Sequence, residues 1–263
     1  MTTQIVCLYT IADSGPLTPA TLGAALAAVP LPVDLLSRLG LRLISDSTSG
    51  LARTVTLGTD ASTPATVTVT YQAGGRTGIA SATPGGASQG YVRPPVLTLV
   101  PGVGSVVTHP AILVPELEAV AATIVNGGMN YSVGTKVIST GGELAPGGVE
   151  ATWAPTINGG GTITALAVET AGGPYNVPPT LTAVDPLGLG SGAILTSILG
   201  LAAVAVPQSG IGYEGSTTVT VTSYFKSLFK TAAAQAAAVT NFFTGSIQAG
   251  VRSPVVASAP VVT

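Results

Sequence analysis

Hydrophobic and polar residues alternate with a period of two along much of the chain. LRLIS (41–45), RTVTLG (53–58) and ATVTVTYQ (65–72) place Val, Leu and Ile between Thr, Ser and Arg, with Gly, Ser and Asp turn signals between the runs. That pattern predicts antiparallel strands joined as hairpins. QIVCLYTI (4–11) predicts a further strand. Two stretches break the alternation. LTPATLGAALAAVP (17–30) predicts a short helix capped by Thr18, with Pro19 in its first turn and Pro30 as its stop. PVDLLSRLG (32–40) predicts a weaker helix ended by Gly40. Residues 1–75 are therefore expected to form an α+β domain.

From residue 76 to 222 a different pattern takes over. QGYVRPPVLTLV (89–100), GGMNYSVGTKVIST (127–140), GGPYNVPPTLTAV (172–184) and SGIGYEGSTTVTVT (209–222) share a glycine turn, a tyrosine, an extended link and a β run. Tyr91, Tyr131, Tyr175 and Tyr213 follow one another at intervals of 40, 44 and 38 residues. A fixed period of about 40 predicts tandem supersecondary units. Gly90, Gly128, Gly173 and Gly212 supply positive φ at the turns. Proline after the tyrosine cannot donate to a ladder and belongs at a strand start or edge. A tyrosine ring at each turn covers the unit below, and its hydroxyl is expected to reach a backbone carbonyl.

The period changes again in SYFKSLFKTAAAQAAAVTNFFTGS (223–246). Phe225, Leu228, Phe229, Ala232, Ala236, Val239 and Phe243 fall on one helical stripe. This predicts an amphipathic helix over 223–250, suited to an oligomer contact or an anchor. VRSPVVASAPVVT (251–263) reads as an extended tail that adds an edge to a neighbour or is mobile. The expected fold class is mainly β, with a small α+β N-terminal segment, tandem β repeats of about 40 residues and one C-terminal helix.

Composition narrows the function. Only 8% of the 263 residues are charged, and the net charge is −2. Nine scattered basic residues do not make a phosphate-neutralising surface, so nucleic acid is not an expected partner. Residues 151–222 hold three charges: Glu169, Asp185 and Glu214. So neutral a surface predicts burial against other subunits. The longest apolar run, ILTSILGLAAVAV (194–206), has 13 residues, short of the roughly 20 needed to span a bilayer. No membrane partner is expected, and MTTQIVCLYT lacks the basic start of a secretory signal.

Chemistry-bearing residues are few. His109 and Cys7 are single, which leaves no set of usual zinc ligands. His109 precedes Pro110 with no carboxylate nearby in sequence, and no Gly-x-Ser-x-Gly elbow accompanies it. GLGSGA (188–193) lacks the full dinucleotide spacing. Glu116, Glu118, Glu143 and Glu150 lack the acidic density of a calcium loop. No enzyme activity, metal or cofactor is expected.

The repeats resemble the Gly-Ser-Gly-Tyr β repeats of tailed-bacteriophage virion proteins. The matching residues are Gly172, Gly173 and Tyr175 with Pro178 and Pro179, the loop Gly190, Ser191, Gly192 and Ala193, and Gly210, Gly212 and Tyr213. Gly90 and Tyr91 with Pro94 and Pro95 are a fair match. Gly127, Gly128 and Tyr131 depart, with a longer turn and no following proline. The resemblance covers about half of the chain. It implies a structural virion component, a capsid decoration or minor head protein, or else a tail, spike or fibre component that binds a host receptor or glycan. It also implies a homo-oligomer, a trimer by analogy with phage fibres, partnered by other virion proteins such as the major capsid protein. It carries over no catalytic residue.

Overall fold

The computed structural model describes residues 4–11, 42–49, 52–58, 65–72, 78–228, 234, 254–256 and 261–262. Among these the chain is mainly β, and every strand pair is antiparallel. The helices expected over 17–30 and 32–40 lie outside the described residues. So do Phe229, Val239 and Phe243 of the C-terminal stripe. One helical turn of that region is described, α1 (Tyr224–Leu228), on which Leu228 is exposed.

The chain divides into two compact units. The first comprises Met1–Asp60 and Ser223–Thr263. Its strands are β1 (Gln4–Ile11), β2 (Arg42–Ser49) and β3 (Ala52–Gly58), with β14 (Pro254–Val256) and β15 (Val261–Val262) from the tail. β2 and β3 form the expected hairpin, and β1 lies on the other side of β3. The tail does not stand apart as a separate segment. β14 and β15 pair with β1 of the same unit, Tyr9 opposite Val256 and Ile5 opposite Val262. A ladder between residues this far apart leaves no local sequence trace.

The second unit is Ala61–Thr222. It contains β4 (Thr66–Tyr71), β5 (Ile79–Gly85), β6 (Val96–Val100), β7 (Ile112–Met129), β8 (Lys136–Thr140), β9 (Thr152–Ile157), β10 (Ile163–Thr170), β11 (Thr180–Val184), β12 (Ser191–Gln208) and β13 (Thr218–Thr222). The boundary expected at residue 75 therefore falls earlier. β4 runs in register with β5, Thr66 opposite Gly85 and Val69 opposite Ala82, and so belongs with the tyrosine region. The alternation of ATVTVTYQ resembles that of β3, and only pairing separates the two.

The main sheet runs β10-β9-β8-β11-β12-β5-β4, with β7 also on β12, and β13 pairs with β6 separately. The β9–β10 hairpin is local. β9 and β10 turn at Asn158, whose Oδ1 accepts the N–H groups of Gly160 and Thr162, a turn that its glycines favour. β7 and β12 contain no such cluster at their middles. Each runs on as a single strand of 18 residues, and the two pair with each other from Ser191 opposite Met129 to Gln208 opposite Ile112. The core lies over this ladder. Tyr175, Ile79, Leu117, Ile163 and Leu199 are its most deeply buried large side chains.

Candidate functional site

Each of the four tyrosines is buried, with 1 to 6% of its surface exposed. Each glycine singled out with them has positive φ: 97° at Gly90, 65° at Gly128, 114° at Gly173 and 95° at Gly212. Among the described residues the contact that these hydroxyls share is with a backbone N–H, where a carbonyl was expected. All four accept a backbone N–H from an alanine: Ala65, Ala111 and Ala151 immediately precede a strand, and Ala193 is the third residue of β12. Ala65 N–H donates to Tyr91 Oη at 3.0 Å, and Ala151 N–H to Tyr175 Oη at 2.6 Å. Ala111 N–H donates to Tyr213 Oη at 2.9 Å, and Ala193 N–H to Tyr131 Oη at 3.3 Å. At Ala65 and Ala151 the reason is backbone accounting: a buried N–H just ahead of a strand needs an acceptor. The phenol supplies it.

Tyr175 is the most enclosed of the four. Its own N–H donates to Leu117 O at 2.8 Å, and its hydroxyl also donates to Glu150 Oε2 at 3.3 Å. Burial, opposed by the Ala151 hydrogen bond and reinforced by the Glu150 charge, pushes its phenol up to about 12. The alanines were missed in the sequence. Their signal was present, because Ala65, Ala111, Ala151 and Ala193 recur at intervals of 46, 40 and 42 residues.

A second construction is a loop tip held by Asp185. Its Oδ1 accepts from Ser132 N–H at 3.0 Å, from Thr135 Oγ1 at 3.2 Å and from the Ser132 hydroxyl. Its Oδ2 accepts from Leu189 N–H at 2.9 Å and Gly190 N–H at 3.1 Å. The Ser132 hydroxyl above all, with the backbone donors, holds this carboxyl well below the usual carboxylate range. The clamp ties 132–135 to 185–190. It leaves Val133, Leu187 and Leu189 exposed, at 97%, 67% and 65%.

The third feature is a contrast between two seams. At β8–β9 the strands are hydrogen-bonded, with Trp153 opposite Val137. The indole is buried and donates from Nε1 to Ser139 Oγ at 2.7 Å. β4 and β13 lie beside each other without a ladder among the described residues. The Tyr71 hydroxyl links the two, donating to Gly215 O at 2.8 Å and accepting from Thr217 N–H at 3.0 Å. Alongside is a cleft of about 440 Å³ whose walls include Ala65, Val67, Val69, Val219 and Val221.

Among the described residues the groups with catalytic potential stand apart. His109 is exposed, with Nδ1 3.4 Å from Thr108 Oγ1. Arg93 and Glu143 form an ion pair of 3.6 Å at the surface, a geometry of small energetic weight. Among the described residues no three His, Cys, Asp or Glu side chains cluster as metal ligands. No helix there is long and apolar enough to cross a membrane. The glycine loop at 188–193 packs on a ring: any side chain at Gly190 would collide with Tyr131. Comparison of the chain with protein-family models, with curated proteins and with solved structures gives no match.

Proposed function

We propose that this chain is a non-enzymatic structural component of a tailed-phage virion, a capsid decoration or minor head protein assembled as a homo-oligomer, with a trimer favoured. The observation that carries the reading is the tyrosine clasp, made four times with the same atoms. A residue repeated to satisfy strand starts serves architecture. The same burial leaves the rings no exposed face for stacking on sugars, which the receptor- or glycan-binding alternative would use. The scarcity of charge and the exposed aliphatic tips support burial against neighbours in a particle.

The finer fold belongs to the same proposal: tandem units of about 40 residues, arranged as a duplicated pair. Related positions stand 82 to 86 residues apart. Ala65 and Ala151, Tyr91 and Tyr175, β6 and β11, Tyr131 and Tyr213, and β8 and β13 correspond in this way. So do the buried pairs Ile79 with Ile163 and Leu117 with Leu199. The clasps follow the duplication: Tyr91 and Tyr175 hold alanines of their own hairpins, while Tyr131 and Tyr213 exchange partners across the β7–β12 ladder.

Quantitative mass spectrometry of purified phage particles tests the function. Hundreds of copies per particle fit a decoration role, and a handful fit a tail or spike component. A chain absent from particles of the phage that encodes it refutes the proposal.

A further inference from the structure

We propose that the β9–β10 turn is a site of self-modification, at which the folded chain converts Asn158 to aspartate and isoaspartate through a cyclic imide. The reacting groups are neighbours in the chain. Attack of the Gly159 backbone nitrogen on Asn158 Cγ closes a small ring made of the asparagine side chain and its own backbone. The sequence offers this pairing twice, since Asn126 and Asn158 are each followed by glycine. Glycine has no Cβ to obstruct the approach. The fold treats the two pairs differently.

At Asn158 the groups are set for the attack. Oδ1 accepts from Gly160 N–H at 3.0 Å and from Thr162 N–H at 3.0 Å. These donors face the oxygen on which negative charge develops as the nitrogen adds to Cγ, which is the work of an oxyanion hole. The nucleophile is uncommitted: among the described residues Gly159 N–H has no hydrogen-bond partner, and neither has the leaving Nδ2. Asn158 is exposed, so water and base reach it. A Cβ built at Gly159 meets nothing within 4 Å, which leaves the backbone room to rotate into the attack. Asn126 has a different setting. It lies within β7 opposite Ile194, and its Oδ1 accepts from Gly128 N–H at 2.9 Å. Gly127 stands in the ladder opposite Ala193, where a Cβ would strike the Ile163 carbonyl. A backbone so confined does not turn its nitrogen onto the side chain.

The chemistry needs only water and base. Base takes the Gly159 amide proton, the bond from that nitrogen to Cγ forms, and the bond from Cγ to Nδ2 breaks. Nδ2 takes a proton from water and leaves as ammonia. Water then opens the imide at either carbonyl. One opening gives aspartate, whose carboxylate still accepts the Gly160 and Thr162 N–H groups. The other gives isoaspartate, whose backbone is longer by a carbon atom. That product no longer fits the pairing of the turn, in which Asn158 N–H donates to Thr162 O and Gly161 N–H to Asn158 O, each at 3.0 Å.

Peptide mapping by mass spectrometry tests the proposal on the full chain, incubated in mildly alkaline buffer both folded and in urea. In urea the two Asn-Gly pairs should react at similar rates. In the folded chain Asn158 is expected to react at least as fast as in urea, and Asn126 about tenfold more slowly or less still, a margin smaller than the roughly 10²–10³ that one oxyanion donor contributes in an enzyme. The products at 158 should co-elute with synthetic aspartyl and isoaspartyl peptides. Gly159→Ala fits the open space of the turn and keeps both Oδ1 donors while obstructing the nucleophile, so it should slow the reaction at 158 by a similar factor. An unchanged rate in that variant overturns attack by the Gly159 nitrogen. The comparison of folded and unfolded wild type needs no variant and stands if Gly159→Ala misfolds. An Asn158 that reacts more slowly in the folded chain than in urea overturns the proposal, because the turn then protects the side chain. Equal rates at Asn126 and Asn158 in the folded chain overturn it as well.

Discussion

Replacing Tyr175 by Phe isolates the clasp from the ring. The substitution keeps the aromatic packing and deletes one oxygen. Ala151 is 2% exposed, so its N–H is left buried with no acceptor. An unsatisfied buried donor costs about 1–3 kcal/mol, more than the net worth of the hydrogen bond itself. Tyr175→Ala adds loss of a ring that is 1% exposed, which brings the expected cost to about 3–5 kcal/mol. Tyr131→Phe is the internal control. Its hydrogen bond is longer, 3.3 Å, and only partly buried, so water can replace it at about 1 kcal/mol or less. Urea unfolding should order the variants Tyr175→Ala, Tyr175→Phe, Tyr131→Phe from least to most stable. The hydroxyl also sets an alkaline limit. Folding raises this phenol from its ordinary value near 10 to about 12, so its contribution is complete below about pH 10 and is lost as pH rises through 12. Tyr175→Phe should lack that part of the slope. A Tyr175→Phe protein with the wild-type urea midpoint and wild-type alkaline profile would refute the clasp as a stabilising device.

Trp153→Val reproduces in one seam the residue found in the other; a loss of about 3 kcal/mol is expected from the buried indole, measured by the same unfolding, and no loss would show that the indole does not seal β8 to β9. Asp185 binds its proton more weakly in the folded chain, so its contribution is present above the ordinary carboxylate value near 4 and lost as pH falls below it. Asp185→Asn should therefore unfold with a flatter acid dependence than the wild type, and equal dependence would argue against the clamp. Gly212→Ala, at φ 95° with the Val106 carbonyl against the site of its new Cβ, should be far more damaging than Gly188→Ala. Gly188 also has positive φ, 68°, but faces open space, so equal melting temperatures for the two variants would contradict the packing described.

Much of the fold was legible in the sequence because its signals are local. Alternating β-branched and apolar residues predicted β3, β4, β6, β11 and β13, the apolar run QIVCLYTI predicted β1, and a recurring glycine and tyrosine marked the four turns. These follow from the period-two geometry of a strand and from the freedom of glycine at positive φ. The alanine partners were also written in the chain, as a second 40-residue rhythm, but nothing local says which alanine meets which tyrosine. Only the tertiary structure decided that Tyr131 reaches Ala193 and Tyr213 reaches Ala111, because both contacts depend on β7 pairing with β12. The tail joining β1, and β4 leaving the N-terminal segment for β5, were decided in the same way. Strand pairing is a choice of partner among many sequences of similar alternation. Packing of the whole sheet makes that choice, and it also makes Val67 the wall of a cleft where Trp153 closes one.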